Sequence, residues 1–313
     1  MAEVIKKATR DGYGEGLIAL GEMNKDMFVL DADLAEATRT GKFKAKFPDK
    51  FIDCGIAEGN MMSVAAGIAS TGKLVFASSF AMFAAGRAFE QVRNSIGYPH
   101  LPVKIGATHA GISVGEDGAT HQCNEDIALM RTIPGMTIIN PADSVEAKAA
   151  VIAAAEVDGP VYMRFGRFAV PVFNDEETYK FELGKAITLK EGKDVSIIAT
   201  GLMVNEARIA SEMLAEEGID AEVINIHTIK PLDEKAVIES AKKTGAVVVV
   251  EEHSVVGGLG SAVCDVLAQN QPTKVKLIGM NDEYGMSGSA ADLLEHYGFS
   301  AKNIVAKVKE VLK

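Results

Sequence analysis

The chain has 313 residues, of which 48% are hydrophobic and 24% are charged, which is typical of a globular protein long enough for two domains. Its 32 Lys and Arg residues against 43 Asp and Glu residues give a net charge of −11, which disfavours nucleic acid and anionic membranes as partners. The three cysteines are widely spaced, which predicts reduced thiols rather than disulfides or a zinc site. No segment reaches the roughly 18 uninterrupted apolar residues of a membrane span, so we expect a cytoplasmic protein.

The first half of the chain alternates short apolar runs with Ala-rich stretches of helical period. The predicted strands are Met27–Leu30, Leu74–Ala77, Val103–Ala107, Met136–Ile139 and Val161–Phe165. The predicted helices are Glu58–Ser70, Phe80–Ile96, Asn124–Arg131 and Asp143–Ala155. Continuous apolar strands separated by single helices are typical of parallel strands buried on both faces. This half is therefore predicted to be a doubly wound α/β domain.

A polar, irregular stretch near Phe173–Lys193 interrupts the alternation, so we predict a first domain at 1–175, a linker at 176–192 and a second domain at 193–313. The predicted strands beyond the first domain are an edge strand near Ala186–Leu189, then Val195–Thr200, Ala221–Ile226, Ala246–Val250 and Val275–Ile278. The predicted helices are Asn205–Glu216, Asp233–Lys243, Ser261–Ala268, Ala290–His296 and one that begins near Ala301. The second domain is therefore also predicted to be doubly wound α/β.

The most informative segment is the glycine-rich loop Gly106–Gln122, which begins within the predicted strand Val103–Ala107. It carries His109, Asp117 and His121, and open α/β sheets bind ligands in loops beyond the carboxyl ends of their strands. Two imidazoles and a carboxylate can bond hydroxyl groups and move protons near neutral pH. The alternative is a turn whose polar side chains bond only their own backbone.

A second candidate is Glu58, at the start of a predicted helix whose next turns are almost wholly apolar. A carboxylate there gains from the helix dipole, so a simple first-turn acid is one explanation. Because little other charge lies between Cys54 and Thr71, a partnered carboxyl or one with a raised pKa is the other. Phe80 and Phe83, predicted on one helix face, suit either core packing or stacking on a flat heterocycle.

Two further patterns are weaker. Gly258-Leu259-Gly260 follows a strand and opens a helix, as in a dinucleotide site, but Val263 replaces the third small residue. We therefore predict a tight turn there. The run Glu251-Glu252-His253 could suggest a metal, but adjacent strand residues point to opposite faces and no second ligand set accompanies it. We expect this chain to hold no metal site.

Taken together, these segments resemble the C-terminal half of transketolase, and the resemblance covers nearly the whole chain. The most specific match is Thr108–Gln122, and Gly55–Met61 is similar to the family's motif around its cofactor-activating glutamate. Further similar segments are Pro134-Gly135-Met136, Asn140-Pro141-Ala142-Asp143, Ala199-Thr200-Gly201 and Asn281–Gly288. Departures are Gly86, where the family has a tyrosine, and Ala37-Thr38, where it has a phosphate-contacting serine. Arg87 has no assigned counterpart.

The resemblance implies thiamine diphosphate as the cofactor. Glu58 would hydrogen-bond N1′ of its aminopyrimidine and favour the imino tautomer that takes the thiazolium C2 proton. Phe83, with Phe80 beside it, would stack on the pyrimidine. Asp33 matches a family aspartate near the cofactor.

The resemblance also implies a sugar phosphate substrate. His109 and His121 would contact the donor's oxygens and assist proton transfers, and Asp117 would bind a sugar hydroxyl. Arg10 and Arg167 match positions that bind the phosphate. A two-carbon ketol unit would pass from a ketose phosphate to an aldose phosphate, as in the pentose phosphate pathway.

A partner subunit is implied as well. The family's diphosphate-binding domain carries a Gly-Asp-Gly motif and a later asparagine that completes a metal site, and Gly115-Glu116-Asp117-Gly118 belongs instead to the glycine-rich loop. We therefore expect a separate N-terminal subunit to bind the diphosphate with Mg²⁺ (or Ca²⁺), in an α2β2 heterotetramer. The chain alone should be inactive.

Three alternatives stay open. Deoxyxylulose-phosphate synthase has the same domain order and a His-Gly-Asp-Gly loop, but the Gly-Glu-Asp-Gly sequence favours transketolase. The β subunit of a 2-oxo acid dehydrogenase is a stand-alone pair of such domains, but its substrates have no sugar hydroxyls for His109 and Asp117 to bind. A non-catalytic flavin- or nucleotide-binding electron-transfer subunit fits the α/β pattern but explains neither histidine.

Overall fold

The structure is a computed structural model that describes residues 5–23 and 26–313. Two large sheets and a two-stranded ribbon organise this part of the chain. Both large sheets consist mainly of parallel strands joined by helices, which confirms the predicted α/β doubly wound fold. None of the helices in the described ranges is long and apolar enough to cross a bilayer.

The secondary-structure elements of the described residues are as follows. The strands are β1 (Lys6–Ala8), β2 (Met27–Asp31), β3 (Phe51–Asp53), β4 (Leu74–Phe80), β5 (Val103–Thr108), β6 (Thr137–Ile139), β7 (Val161–Arg164), β8 (Ala169–Pro171), β9 (Ile187–Lys190), β10 (Val195–Ala199), β11 (Ala221–Asn225), β12 (Thr228–Lys230), β13 (Ala246–Ser254) and β14 (Lys274–Met280). The α-helices are α1 (Thr9–Glu22), α2 (Ala35–Thr38), α3 (Thr40–Lys46), α4 (Glu58–Ala69), α5 (Phe89–Gln91), α6 (Asp126–Arg131), α7 (Ser144–Ala154), α8 (Met203–Glu216), α9 (Glu234–Thr244), α10 (Leu259–Asn270), α11 (Ala290–His296) and α12 (Ala301–Val311).

The first large sheet has seven strands in the order β12-β6-β7-β5-β4-β2-β3. All its neighbours pair in parallel except β12, which runs antiparallel to β6. The carboxyl ends of β2, β3, β4 and β5 therefore lie at one edge of the sheet. The second sheet has five strands in the order β14-β13-β10-β11-β9, with β9 antiparallel.

The two halves of the chain are joined by more than the connecting segment. Strand β12 comes from the second half but completes the sheet of the first. Strand β9 lies inside the stretch 176–192, predicted as a linker, and pairs with β11 in the second sheet. One cluster of buried side chains includes Ile105 and Ile127 from the first half and Ile198 and Val263 from the second. The apolar core is thus continuous across the domain boundary.

Helix α1 occupies a segment for which the sequence analysis predicts no helix. Its four glycines each lower helix propensity by about 1 kcal/mol relative to Ala. They allow close packing on α7: a Cβ on Gly12 would overlap the carbonyl oxygen of Ser144, and one on Gly16 would crowd the side chain of Val151. Close tertiary contact therefore compensates for weak local propensity.

The predicted helix Phe80–Ile96 is wrong at its start. Phe80 is the last residue of β4, and the chain continues as a π-helical turn (Met82–Arg87), the short helix α5 and a second π-helical turn (Val92–Gly97). Phe80 and Phe83 therefore come from a strand end and the turn after it, not from one helix face. Such π-helical turns are rare and are often found at functional sites.

We expect Gly12→Ala to lower the free energy of unfolding by about 1–3 kcal/mol, because the new Cβ would overlap the Ser144 oxygen in α7. The matched control is Gly67→Ala in α4, an exposed position with no atom within 4 Å of an added Cβ. This control should gain about 0.5–1 kcal/mol from helix propensity. Urea unfolding followed by circular dichroism measures both changes. If both variants were stabilised alike, the glycines of α1 would not be needed for its contact with α7.

Candidate active site

The predicted site residues lie in separate loops at the carboxyl edge of the seven-stranded sheet. Asp33 follows β2, Glu58 begins α4 shortly after β3, Phe80 ends β4 and His109 follows β5. Because these parallel strands are neighbours, their carboxyl ends bring together side chains that are distant in the sequence. Ligands of open α/β sheets bind at this edge.

Backbone strain is concentrated at the same edge. In the described ranges five non-glycine residues have positive φ, and three of them belong here: Asp33 (60°), Arg39 (72°) and His109 (57°). Such conformations cost of order 1–3 kcal/mol each and persist where surrounding contacts hold them. Buried Asp31 supplies such contacts, since its carboxylate accepts hydrogen bonds from two threonine hydroxyls and one backbone N–H of the turn that follows.

The Glu58 carboxylate is almost fully buried, with 2% exposure. Its partner is Arg87, whose Nη1 donates to both carboxylate oxygens at 3.1 and 3.2 Å. The Arg87 side chain is 55% exposed, so a buried acid is joined to a surface cation. The same guanidinium lies over the Phe83 ring, 4.5 Å from its centroid.

Four aromatic rings meet beside this ion pair. Phe80 is buried and stacks on His109, with ring centroids 3.8 Å apart. Phe83 is half-buried and lies nearly parallel to Phe80, with a centroid distance of 5.8 Å. Its ring also meets His121 edge-on at 5.3 Å. The two phenylalanines are therefore neighbours although they do not share a helix.

His109 is fixed at both ring nitrogens. Arg10 Nη1 lies 3.1 Å from Nε2, and because a guanidinium has only donors, Nε2 accepts this bond. The Nδ1–H then donates to Thr108 Oγ1 at 2.9 Å. Burial, reinforced by Arg10 and Arg167, lowers the pKa of His109 to about 3. His109 is therefore a neutral imidazole that can take up a proton only when Arg10 releases Nε2.

Three arginines, Arg10, Arg39 and Arg167, form a cluster around His109. Burial, together with repulsion from Arg39 and Arg167, lowers the pKa of Arg10. Arg39 pairs with Asp11 at 2.7 Å, while Arg10 and Arg167 donate to backbone oxygens at 2.9 and 2.8 Å. The buried Nε–H of Arg10 has no hydrogen-bond partner among the described residues. Like charges held together with donors to spare suit an anion such as phosphate.

The tip of the glycine-rich loop carries Asp117 and Glu116, both exposed. Their carboxylates lie 3.7 and 3.6 Å from Nη1 of Arg167, which makes surface ion pairs worth about 0–1 kcal/mol. His121 is half-buried, and its Nδ1 lies 2.9 Å from Thr120 Oγ1. These exposed and half-buried side chains are therefore lightly held.

The second domain holds the base of this loop. Glu252 in β13 accepts a 2.6 Å hydrogen bond from the backbone N–H of Ser113, and Gln122 Nε2 donates to the Met286 oxygen at 2.9 Å. Gly111 has a φ of 79°, and a Cβ there would overlap the Glu252 carboxyl group. Burial raises the pKa of Glu252 to about 7. The shape of the loop thus depends on contacts across the domain boundary.

Arg164 at the end of β7 ties the same region together. Its Nε donates to Asp126 at 2.9 Å, and its Nη2 donates to the backbone oxygens of Cys123 and Glu252 at 3.3 and 2.8 Å. The Tyr162 hydroxyl donates to the same Asp126 at 2.8 Å. Breaking a buried ion pair by removing one partner typically costs 3–5 kcal/mol, so this network fixes the exit of the loop.

The two weaker sequence patterns have structural roles. Glu251 accepts hydrogen bonds from the backbone N–H groups of Leu259 and Gly260, at 2.7 and 2.8 Å, where α10 begins. A Cβ on Gly258 would overlap this carboxylate, so the predicted tight turn is present and its anion position is filled by the protein itself. In the part of the chain that is described, no cluster of three His, Cys, Asp or Glu side chains could hold a metal ion.

Sequence reasoning missed three side chains of this site: Arg39, Arg87 and Glu252. Arg39 belongs to no motif, and its position depends on the turn that Asp31 holds. In the sequence, Glu252 stands out only as a candidate metal ligand within Glu251-Glu252-His253. A signal for Arg87 was present, because it is the one charged residue between Phe80 and Phe89.

Known families match both halves of the chain. The family model described as "Transketolase, pyrimidine binding domain" matches residues 5–172, and that described as "Transketolase, C-terminal domain" matches residues 184–304. A solved structure described as a split-gene transketolase, an inactive β4 tetramer, is similar with a TM-score of 0.91 and 51% identity. The match covers 97% of this chain and 98% of that one.

Two curated relatives match over nearly their whole length. A Methanocaldococcus jannaschii protein provisionally named as a transketolase C-terminal section is 50% identical over 311 residues, 99% of this chain and 98% of the relative. The 6-deoxy-6-sulfo-D-fructose transketolase subunit of Clostridium sp. (strain MSTE9) is 46% identical over 303 residues, 96% of this chain and 94% of the relative.

Arg10→Ala should raise the pKa of His109 above its value of about 3, because the change removes a nearby positive charge and frees Nε2. Burial is the largest cause of the lowered pKa and is unchanged in this variant, so the pKa of His109 should stay below the ordinary value of 6.5. Titration of the histidine ring nitrogens by NMR measures this in the full chain. Arg10→Lys keeps the charge and should produce a smaller rise. An unchanged pKa in Arg10→Ala would contradict the tautomer assigned here.

Glu252→Gln should become progressively more stable than the parent as pH rises from 5 to 8. The folded-state pKa of about 7 lies above the ordinary 4.5, so the folded parent binds this proton more tightly than the unfolded chain does. The free energy of unfolding of the parent therefore falls as pH rises from the unfolded pKa of 4.5 through the folded pKa of about 7, by up to about 3 kcal/mol. The glutamine stays neutral and keeps an oxygen for the Ser113 N–H. Urea unfolding from pH 5 to 8 measures the free energy of unfolding of parent and variant, with exposed Glu212→Gln as control. A difference between parent and Glu252→Gln that does not change with pH would contradict the raised pKa of Glu252.

Proposed function

The chain belongs to the transketolase family, and we propose that it is the pyrimidine-binding and C-terminal subunit of a two-chain, thiamine-diphosphate-dependent transketolase. Its reaction would transfer a two-carbon ketol unit from a ketose phosphate to an aldose phosphate, in the cytoplasm and within the pentose phosphate pathway. The observation that carries the proposal is the buried Glu58 carboxylate beside the paired rings of Phe80 and Phe83.

The residues around Glu58 fit an aminopyrimidine. A flat heterocycle at this position needs an aromatic face to stack on and a carboxylate for its ring nitrogen. The Arg87 guanidinium is itself a planar N–H donor, and it makes both kinds of contact, with Glu58 and with Phe83. A planar donor group is therefore accommodated between these two side chains.

We propose Phe83 as the ring that stacks on the pyrimidine, because Phe80 already stacks on His109 at 3.8 Å. Phe80 would then support Phe83 from behind. Asp33, exposed after β2, would lie near the cofactor. The diphosphate and its Mg²⁺ or Ca²⁺ would be bound by the partner subunit.

When bound, thiamine diphosphate supplies an electron sink for breaking and making the bond next to a ketose carbonyl. Glu58 would hold a proton at N1′ of the aminopyrimidine, and its burial would strengthen that hydrogen bond by excluding water. The nearly parallel Phe80 and Phe83 rings would fix the plane of the heterocycle.

The arginine cluster (Arg10, Arg39 and Arg167) would hold the phosphate of the sugar. Asp117 and His121, which the loop holds lightly, would contact hydroxyl groups of the donor. His109 would contact a donor oxygen and assist proton transfer once Arg10 turns towards the phosphate, because this movement frees Nε2.

The proposed partner is an N-terminal, diphosphate-binding transketolase subunit, in an α2β2 heterotetramer. The relatives' names support a division of the enzyme between chains, since one is a C-terminal section and another a subunit. The similar solved structure, described as an inactive tetramer of β chains, supports a requirement for the partner. The deoxyxylulose-phosphate synthase and 2-oxo acid dehydrogenase alternatives are not favoured, because the matched families and relatives are transketolases.

The chain alone should transfer no ketol unit, whereas mixing it with a diphosphate-binding transketolase subunit, Mg²⁺ and thiamine diphosphate should start turnover. Glu58→Gln should abolish this turnover and leave the fold intact, because an amide cannot hold a proton at N1′ as a carboxylate does. Exchange of the cofactor's C2 proton in the assembled enzyme, followed by NMR, measures the effect directly.

Exposed Glu212→Gln serves as the control for this experiment and should exchange like the parent. Full activity of the chain alone, with contaminating partner excluded, would contradict the two-chain proposal. Parent-like exchange in Glu58→Gln would reduce Glu58 to a first-turn acid of α4.

Arg39→Ala should lower kcat/KM for a phosphorylated ketose roughly 10- to 150-fold, because a charge-assisted hydrogen bond contributes about 1.5–3 kcal/mol. It should largely spare hydroxypyruvate, a donor without phosphate, and Arg10→Ala and Arg167→Ala should behave alike. Asp117→Ala should instead weaken discrimination between epimeric ketoses. Steady-state kinetics on a phosphorylated ketose, its epimer and hydroxypyruvate, with exposed Arg93→Ala as control, separate these effects. An equal loss on hydroxypyruvate would remove that arginine from the phosphate site.

A further inference from the structure

The proposed function leaves one charged side chain of the site without a role. Arg87 ends the π-helical turn Met82–Arg87 and is the one charge in the apolar stretch from Phe80 to Phe89. It nevertheless contacts both groups assigned to the aminopyrimidine, the Glu58 carboxylate and the face of Phe83.

We propose that Arg87 is a placeholder for the aminopyrimidine of thiamine diphosphate. In the chain by itself the guanidinium pairs with Glu58 and covers Phe83, and it leaves both when the cofactor binds. This inference rests on the proposed function, because it takes Glu58 and Phe83 as the pyrimidine contacts.

The two occupants compete for the same oxygens. Arg87 Nη1 lies 3.1 and 3.2 Å from the two carboxylate oxygens of Glu58, so neither oxygen is free of it. A carboxylate that stays paired with Arg87 would therefore be a poor partner for N1′.

Only one member of the pair can move easily. Glu58 is 2% exposed and fixed in the first turn of α4, whereas the Arg87 side chain is 55% exposed. Without Arg87, the Glu58 carboxylate of the free chain would lose its charged partner, which lowers stability modestly because the Arg87 side chain is largely exposed. The placeholder thus stabilises the free chain and gives way to the cofactor.

The test is the affinity for thiamine diphosphate of the complex with the diphosphate-binding subunit, measured by isothermal titration calorimetry at fixed Mg²⁺. Arg87→Ala should bind the cofactor about fivefold more tightly than the parent, because nothing competes for Glu58. Arg87→Gln, which lacks the charge but keeps a polar side chain, should show the same direction. Arg93→Ala is the matched control, an exposed arginine of the next π-helical turn that bonds only its neighbour Asn94 in the described structure.

A second measurement follows the free chain. Arg87→Ala should lower its melting temperature, and Glu58→Gln in the same chain should restore it, because the unpaired carboxylate is then gone. If the parent complex binds thiamine diphosphate and both Arg87 variants bind it equally or more weakly, Arg87 is not a placeholder. If the parent complex binds no thiamine diphosphate, the proposed function fails and this inference fails with it.

Discussion

Buried hydrogen bonds that cross the domain boundary determine the shape of the glycine-rich loop, and the candidate site depends on that shape. The loop turns at three glycines with positive φ, Gly111, Gly115 and Gly118, and the backbone N–H groups of Gly118 and His121 close turns within it. Further fixed points are supplied from outside the loop, by Glu252 at Ser113, by the Met286 oxygen at Gln122 and by Arg164 at its exit. The site is therefore complete only when both domains are folded and in contact.

This dependence explains why a second domain that supplies none of the proposed catalytic side chains is nevertheless part of the site. Strand β12 completes the sheet of the first domain, and the apolar core runs without a break between the two. Glu252 and Arg164 meet at this boundary, and the Glu252 backbone oxygen accepts from Arg164 while its carboxylate accepts from Ser113. Glu252 thus links the buried ion pair of Arg164 and Asp126 to the glycine-rich loop.

The fold class and most strands were predictable, because continuous apolar runs indicate burial on both faces of a sheet. Prediction failed where distant partners decide the local structure. Strand β4 continues to Phe80 because its last residues pair with β5, where Phe80 lies opposite Thr108, a partner that no local pattern indicates. Helix α1 forms because its glycines permit contact with α7. The pairing of Glu58 with Arg87 and the clustering of Arg39 with the other arginines likewise require the folded sheet.

The parts of the site form one continuous series of contacts from the proposed cofactor position to the proposed phosphate position. The series runs through Glu58, Arg87, Phe83, Phe80, His109 and Arg10. Both terminal contacts are made by arginines, and each arginine holds a group with a proposed role in the reaction: the Glu58 carboxylate at one end and the His109 Nε2 at the other. By these proposals, an aminopyrimidine would displace Arg87 from Glu58, and a phosphate would draw Arg10 away from His109. Because stacked aromatic rings connect these two ends, the binding of cofactor and substrate would release both groups without disturbing the rings between them.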